Sequence, residues 1–203
     1  MSVWGVAGVA AALSLERACY VWIARVPHTF RRWCGRARVA RFGPPLVILQ
    51  KLFYAFKILQ LSLFVGWCYV YGNGSLIPAN RDALVLGLAG VLVVIGQVLN
   101  WSVFYRLGTV GVFFGGRLGH PVRWHRGFPF SLLSHPQYVG TVASIWGLFL
   151  VMRFPHDDWS LIPVIETVYY VVSTCLEGRD PSRERAADPD QDLAVTLEAR
   201  CRS

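Results

Sequence analysis

Residues 83–105, ALVLGLAGVLVVIGQVLNWSVFY, run for 23 positions without a formal charge. A helix rises about 1.5 Å per residue, and crossing the hydrocarbon core of a bilayer takes about 20 apolar residues. This stretch therefore predicts a membrane helix. The rest of the 203-residue chain has the same character. Residues of the apolar set with Tyr make up 54%, charged residues only 16%, and the mean hydropathy is +0.42. Soluble domains carry roughly 25% charge. A water-soluble domain, a disordered chain and a collagen-like chain are excluded, and a small polytopic membrane protein remains.

Working outward, residues 46–71 make a second span, with Lys51 and Lys57 near its start, where long side chains snorkel. Residues 137–152 and 161–176 flank a polar elbow, Arg153 to Ser160, and read as a helical hairpin. The first apolar segment, 3–24, is interrupted by Glu16 and Arg17, so it is expected either to span or to dip into the bilayer and return. It has no basic region before it and no small-residue cleavage site after it, so it reads as retained rather than as a signal peptide. The expected fold is an all-α, polytopic integral membrane bundle of four to five segments. Residues 1–177 form the membrane-embedded domain. The last stretch, 178–203, mixes basic and acidic residues without apolar periodicity and is expected to be a disordered polar tail.

Charge orients the set. The net charge is +8. Arginines crowd the loops from Arg25 to Arg41 and from Arg106 to Arg126, whereas 72–82 holds only Arg81 beside Asp82. Basic residues collect on cytosolic loops, facing anionic lipid heads. That accounts for the basic balance with the lipid bilayer as partner and no nucleic acid. The five cysteines form no CxxC pair, and their odd count fits no disulfide framework. Trp22, Trp67, Tyr69, Tyr71, Trp101, Tyr105 and Trp159, at segment ends, are expected as interface anchors.

Unusual composition concentrates in 94–140. Gly96 is followed by Gln97, Asn100 and Ser102 inside the cleanest span. Gly111, Gly115 and Gly119 have the spacing of small-residue helix packing. Arg106 and Arg117 interrupt that run, and glycines beside arginines also suit a backbone that approaches an anionic group closely. Both readings stand at this point. His135 before Pro136 either opens a helix or serves as a base. Glu166, inside an apolar run, needs a partner or a neutralised state. Glu177 closes the last apolar segment, either as a snorkelling acid or as a partner for a charged ligand.

The run from Arg106-Leu107-Gly108 through Gly111 and Gly115, the turn Gly127-Phe128-Pro129-Phe130, and the segment Ser134-His135-Pro136-Gln137-Tyr138-Val139-Gly140 carry a resemblance. With the order of spans, and Tyr20 to Arg25 ahead of basic residues, the chain resembles the phospholipid N-methyltransferases over roughly residues 4–177. These are small membrane enzymes that methylate phosphatidylethanolamine derivatives toward phosphatidylcholine. The resemblance implies S-adenosyl-L-methionine as methyl donor, a membrane phospholipid as substrate, and an endoplasmic reticulum location with the site toward the cytosol. It also implies a donor site made by a Gly-x-Gly and an acidic pair. Here the second glycine is Gly96, with Val94 in the first position, and the acidic pair is reduced to Glu177 before Gly178. Gly108 and Gly111 are the other expected cofactor-binding residues.

The chemistry suits these residue types. Methyl transfer to an amine is an in-line displacement, so positioning supplies much of the catalysis. The amine must be neutral to attack, and its free pKa lies near that of a lysine, ~10. His135 is the expected base. Tyr138 and Trp101 are expected to face the onium charge, and Arg117 or Arg123 to hold the lipid phosphate. No metal is called for. Two alternatives stay open: a membrane methyltransferase acting on a prenylcysteine carboxylate, and a non-enzymatic lipid-binding protein. The sequence carries no signal for oligomeric state.

Overall fold

The computed structural model describes residues 3–78, 81–122 and 127–177. Its elements are α1 (Val3–Arg25), α2 (Pro27–Cys34), α3 (Ala37–Ala40), α4 (Pro45–Tyr71), α5 (Ala83–Val112), α6 (Pro136–Met152) and α7 (Leu161–Glu177), with no strand among the described residues. The all-helical membrane bundle is as expected. The tail 178–203, Gly178 and Arg123 lie outside the described residues. Helices α1, α4 and α5 are long and apolar enough to cross a bilayer. Helices α6 and α7 have 17 residues each, about 25 Å, and form the expected hairpin around the elbow.

Three features differ from the sequence reading. Helix α1 runs unbroken through Glu16 and Arg17. Both are buried and paired with each other at 2.6 Å, so the charges face the bundle and leave the lipid-facing side apolar. Lys57 does not snorkel: its ammonium bonds Gln60 Oε1 at 2.7 Å and lies 3.3 Å from Glu16. Lys51 does stay outside, on the Phe42 carbonyl. Helix α5 continues past Tyr105 to Val112, through a backbone break at Gly108 with φ 61° and ψ −178°. Only glycine takes such a conformation without strain.

Small-residue packing is present, but not where the glycine spacing predicted it. Gly111 ends α5, Gly115 sits in the turn beyond, and Gly119 has φ 89°, so the three share no helix face. The close crossing is α5 on α6. A Cβ on Gly140 would lie 2.7 Å from the Gly96 carbonyl, and one on Gly147 would lie 2.7 Å from the Ala89 carbonyl. Gln97 Nε2 donates to Ser144 Oγ at 3.0 Å across the same seam. Backbones this near let dispersion and interhelical hydrogen bonds hold helices in lipid, where no hydrophobic drive exists between them.

Two apolar clusters close the ends of the bundle. One gathers Tyr20, Ile23, Phe30, Cys34, Ile48, Leu49, Phe113 and Leu118, where α2 folds back under α1. The other holds Leu13, Trp67, Phe149 and Ile162. At that second end Arg153 makes a two-pronged ion pair with Asp158 at 2.9 and 2.6 Å, and Trp67 Nε1 donates to the same carboxylate at 2.8 Å. Trp67, expected as an interface anchor, is buried because it closes this elbow. Trp101 and Tyr105 are largely exposed, as anchors would be, although Trp101 also borders the cavity described below. At the first end Arg117 donates to the Ala24 and Glu177 carbonyls and Arg25 to that of Leu176. The end of α1, the end of α7 and the segment after α5 therefore share one face.

Candidate functional site

Helices α1, α4, α5, α6 and α7 enclose a cavity of about 680 Å³. Its volume is that of a small-molecule site. Apolar and aromatic walls come from Leu13, Phe53, Phe64, Trp101, Phe104 and Phe149. Gln97, Asn100, Gln137, Thr141 and Ser144 add a polar stripe from the α5–α6 seam.

Charged groups gather on the wall made by α1, α4 and α7. Glu16 takes both cations, Arg17 at 2.6 Å and Lys57 at 3.3 Å. The Arg17 guanidinium lies over three tyrosine rings, at 4.2 Å from Tyr170, 5.0 Å from Tyr20 and 5.6 Å from Tyr138. Gln60 links the group to α7, its Nε2 donating to Glu166 Oε1 at 3.2 Å. The other oxygen of Glu166 is buried and has no hydrogen-bond partner among the described residues. Buried ionisable groups within a membrane bundle are costly and mark functional sites unless fully paired.

A second polar group lies toward the arginine-rich end. Tyr138, in the first turn of α6, donates its hydroxyl to Glu177 Oε2 at the end of α7. Glu177 is 6% exposed, and its Oε1 has no hydrogen-bond partner among the described residues. Arg117 binds the main-chain carbonyl of the same residue at 2.9 Å.

The structure thus brings Tyr138, Glu177 and Arg117 together, and Tyr138 and Trp101 line the cavity. It does not bring the other expected residues there. Gly96 is consumed by the α5–α6 crossing, where an added Cβ would meet Ser144 and the Gly140 carbonyl. Gly108 is exposed at the break in α5, and Gly111 packs against Leu107 and Val122. His135 caps α6 and stacks on Tyr138, with ring centroids 5.7 Å apart, but faces a separate apolar groove with Leu88, Leu92 and Trp146. Arg117 is engaged by carbonyls of α1 and α7.

Residues that the sequence reading did not assign to the site supply most of its polar wall: Glu16, Arg17 and Lys57 carry the charge, and Gln60 and Tyr170 stand beside them. The signal that flagged Glu166, an ionisable residue inside an apolar run, was equally present at Glu16, Arg17 and Lys57.

The phospholipid methyltransferase family model matches residues 84–179, which is α5 to the end of α7. Over 154 residues the chain is 32% identical to phosphatidylethanolamine N-methyltransferase of Mus musculus, covering 72% of this chain and 74% of that one. It is 33% identical over 96 residues to phosphatidyl-N-methylethanolamine N-methyltransferase of Arabidopsis thaliana, covering 47% of this chain and 54%, about half, of the plant protein. The enzyme of that name from Saccharomyces cerevisiae is 26% identical over 156 residues, 76% of this chain and 69% of its own. No solved structure matches the chain. An all-helical membrane bundle with a ligand-sized cavity, and a relative that aligns over nearly three quarters of both chains, place this protein in the phospholipid methyltransferase family.

Proposed function

We propose that the chain methylates the headgroup amine of phosphatidylethanolamine derivatives, the mono- and dimethylated forms at least, toward phosphatidylcholine. The donor in this reading is S-adenosyl-L-methionine. The observation that carries it is the cavity itself: about 680 Å³ inside a membrane bundle, apolar over most of its wall, lined by the carboxylates of Glu16 and Glu166 and by Tyr138, whose hydroxyl reaches Glu177 behind it. Such a site suits a lipid that brings a cationic headgroup and a donor that brings an ammonium and hydroxyls.

The donor in this reading sits beside Tyr138, which lines the cavity and bonds Glu177. The open Oε1 of Glu177 would accept from its amino or ribose groups, and Tyr138 fixes the carboxylate by holding Oε2. Arg117, on the carbonyl of the same residue, keeps the end of α7 in place. When bound, S-adenosylmethionine supplies a methyl group on a positively charged sulfur. The protein's own contribution is to hold the acceptor in line, exclude water with the Phe53, Phe104 and Phe113 wall, and face onium charge with Trp101 and Tyr138. His135 acts here by stacking on Tyr138 and setting the phenol's direction. The membrane is, in the same reading, that of the endoplasmic reticulum, with the arginine-rich face in the cytosol.

The decisive experiment supplies purified protein with methyl-labelled donor and, separately, phosphatidylethanolamine and its mono- and dimethyl forms. Label is expected in the methylated lipids. A prenylcysteine offered in a parallel reaction is the control: label on its methyl ester, with none on any amine lipid, would move the chain to the carboxylate reading.

A further inference from the structure

Charge within the cavity is distributed unevenly. Two carboxylates and two cations meet there, yet Arg17 and Lys57 both pair with Glu16. No ion pair reaches Glu166 among the described residues. Glu166 is 3% exposed, lines the cavity, and receives one neutral hydrogen bond, from Gln60 on Oε1. Its Oε2 is buried and open. A carboxylate held away from water is strongly disfavoured until a cation or a proton joins it. The bundle provides the anion, the neighbouring Tyr170 ring and the aromatic walls; Arg17 and Lys57 act on Glu166 only from beyond ion-pair distance, so its Oε2 is left for a cation that enters.

From this the geometry points to Glu166 as the anionic receptor for the alkylammonium headgroup of the acceptor lipid, with an ammonium N–H donating to Oε2. The inference rests on the reading of the chain as a phospholipid N-methyltransferase and goes beyond it by naming the group that binds the amine. Glu166 suits the task better than His135, which faces the separate groove. It also gives the ammonium proton a destination. Breaking the N–H bond and forming O–H on Oε2 turns a positive and a negative charge into none, and leaves the nitrogen lone pair free. Gln60 holds the other oxygen and so restricts how the carboxylate turns.

The test measures binding without any methyl donor. Purified full-length protein in detergent is titrated with a short-chain phosphatidylethanolamine, with its N-acetyl derivative, which has no ammonium, and with the matching phosphatidylcholine. Fluorescence of the cavity tryptophans Trp67 and Trp101 reports occupancy. The wild type should bind the amine lipid at least about tenfold more tightly than the N-acetyl lipid. Glu166→Gln should lose about 10- to 100-fold for the amine lipid and little for the N-acetyl lipid. Phosphatidylcholine, which has charge but no N–H to donate, should fall between. Equal wild-type affinity for the amine and N-acetyl lipids overturns the proposal, and so does an unchanged amine affinity in Glu166→Gln. A parallel titration with the methyl donor alone covers the other cation available. If Glu166→Gln weakens donor binding and not lipid binding, the carboxylate belongs to the sulfonium and the proposal fails. Should Glu166→Gln not fold, Glu166→Asp keeps the charge and is expected to retain the amine preference, and loss of that preference in a folded Glu166→Asp protein counts against the proposal. Methyl transfer on the same preparations separates the two claims. Transfer by the wild type with amine binding untouched in Glu166→Gln removes only the role of Glu166. Amine binding through Glu166 without transfer to any amine lipid removes only the methyltransferase reading.

Discussion

Tyr138 on α6 donates its hydroxyl to Oε2 of Glu177 on α7, joining the start of one helix of the hairpin to the end of the other. The bond leaves Oε1 as the only oxygen of that carboxylate without a hydrogen-bond partner among the described residues. Glu177 is therefore held in one orientation with one of its two oxygens unpartnered.

Replacing Glu177 by Gln should lower the affinity for S-adenosylmethionine by about 10- to 150-fold, the value of a charge-assisted hydrogen bond. Lipid affinity should stay near that of the wild type. Tyr138→Phe frees the carboxylate to rotate and should weaken donor binding less. Equilibrium binding of labelled donor decides. A Glu177→Gln protein with normal donor affinity would make this residue a helix-end acid.

The elbow gives a stability prediction. Arg153 and Asp158 are both buried, so Asp158→Ala leaves a guanidinium uncompensated and should cost about 3–5 kcal/mol. Burial pushes the Asp158 carboxyl up, but the hydrogen bonds from Arg153 and Trp67 outweigh it and hold the group below its ordinary value. A carboxyl lowered in the folded state stabilises above its unfolded pKa of about 3.9 and loses that contribution as pH falls through the folded value. The melting temperature in detergent should thus separate wild type from Asp158→Asn at pH 6, and the gap should narrow below pH ~4. A gap that widens on acidification would reverse the sign of the argument.

The α5–α6 seam predicts opposite outcomes for glycines near one another. Gly147→Ala places a Cβ 2.7 Å from the Ala89 carbonyl and 2.8 Å from Val93 Cγ2, and overpacking of this kind costs about 1–3 kcal/mol. Around Gly87 and Gly90 nothing lies within 4 Å, so alanine there should be neutral or stabilise by up to about 1 kcal/mol. Thermal unfolding of the three variants tests the crossing directly. Equal behaviour would mean the two helices sit farther apart.

Orientation has its own readout. Arg117 and Arg25 bind carbonyls at the ends of α1 and α7, so the arginine-rich segments share one face. Engineered glycosylation acceptors in 72–82 should be modified, and those in 25–45 or 106–136 should not. The reverse pattern would turn the bundle over.

Much of this protein follows from local chemistry. An uncharged run such as 83–105 has no stable place except a bilayer, and backbone groups in lipid must bond within their own helix. Span positions, the hairpin at 137–176 and the arginine-rich face were all readable, because hydropathy, proline and charge act over a few residues. What the chain order could not show is which buried groups meet. Glu16, Lys57 and Glu166 lie on three helices, each looking like an isolated fault in an apolar segment, and they become one cluster only when α1, α4 and α7 pack together. The same holds for Gly96. Its sequence context fits a ligand site as well as a helix crossing, and only the approach of Gly140 and Ser144 assigns it to the crossing, since contact between helices is a property of their relative rotation and not of either sequence alone.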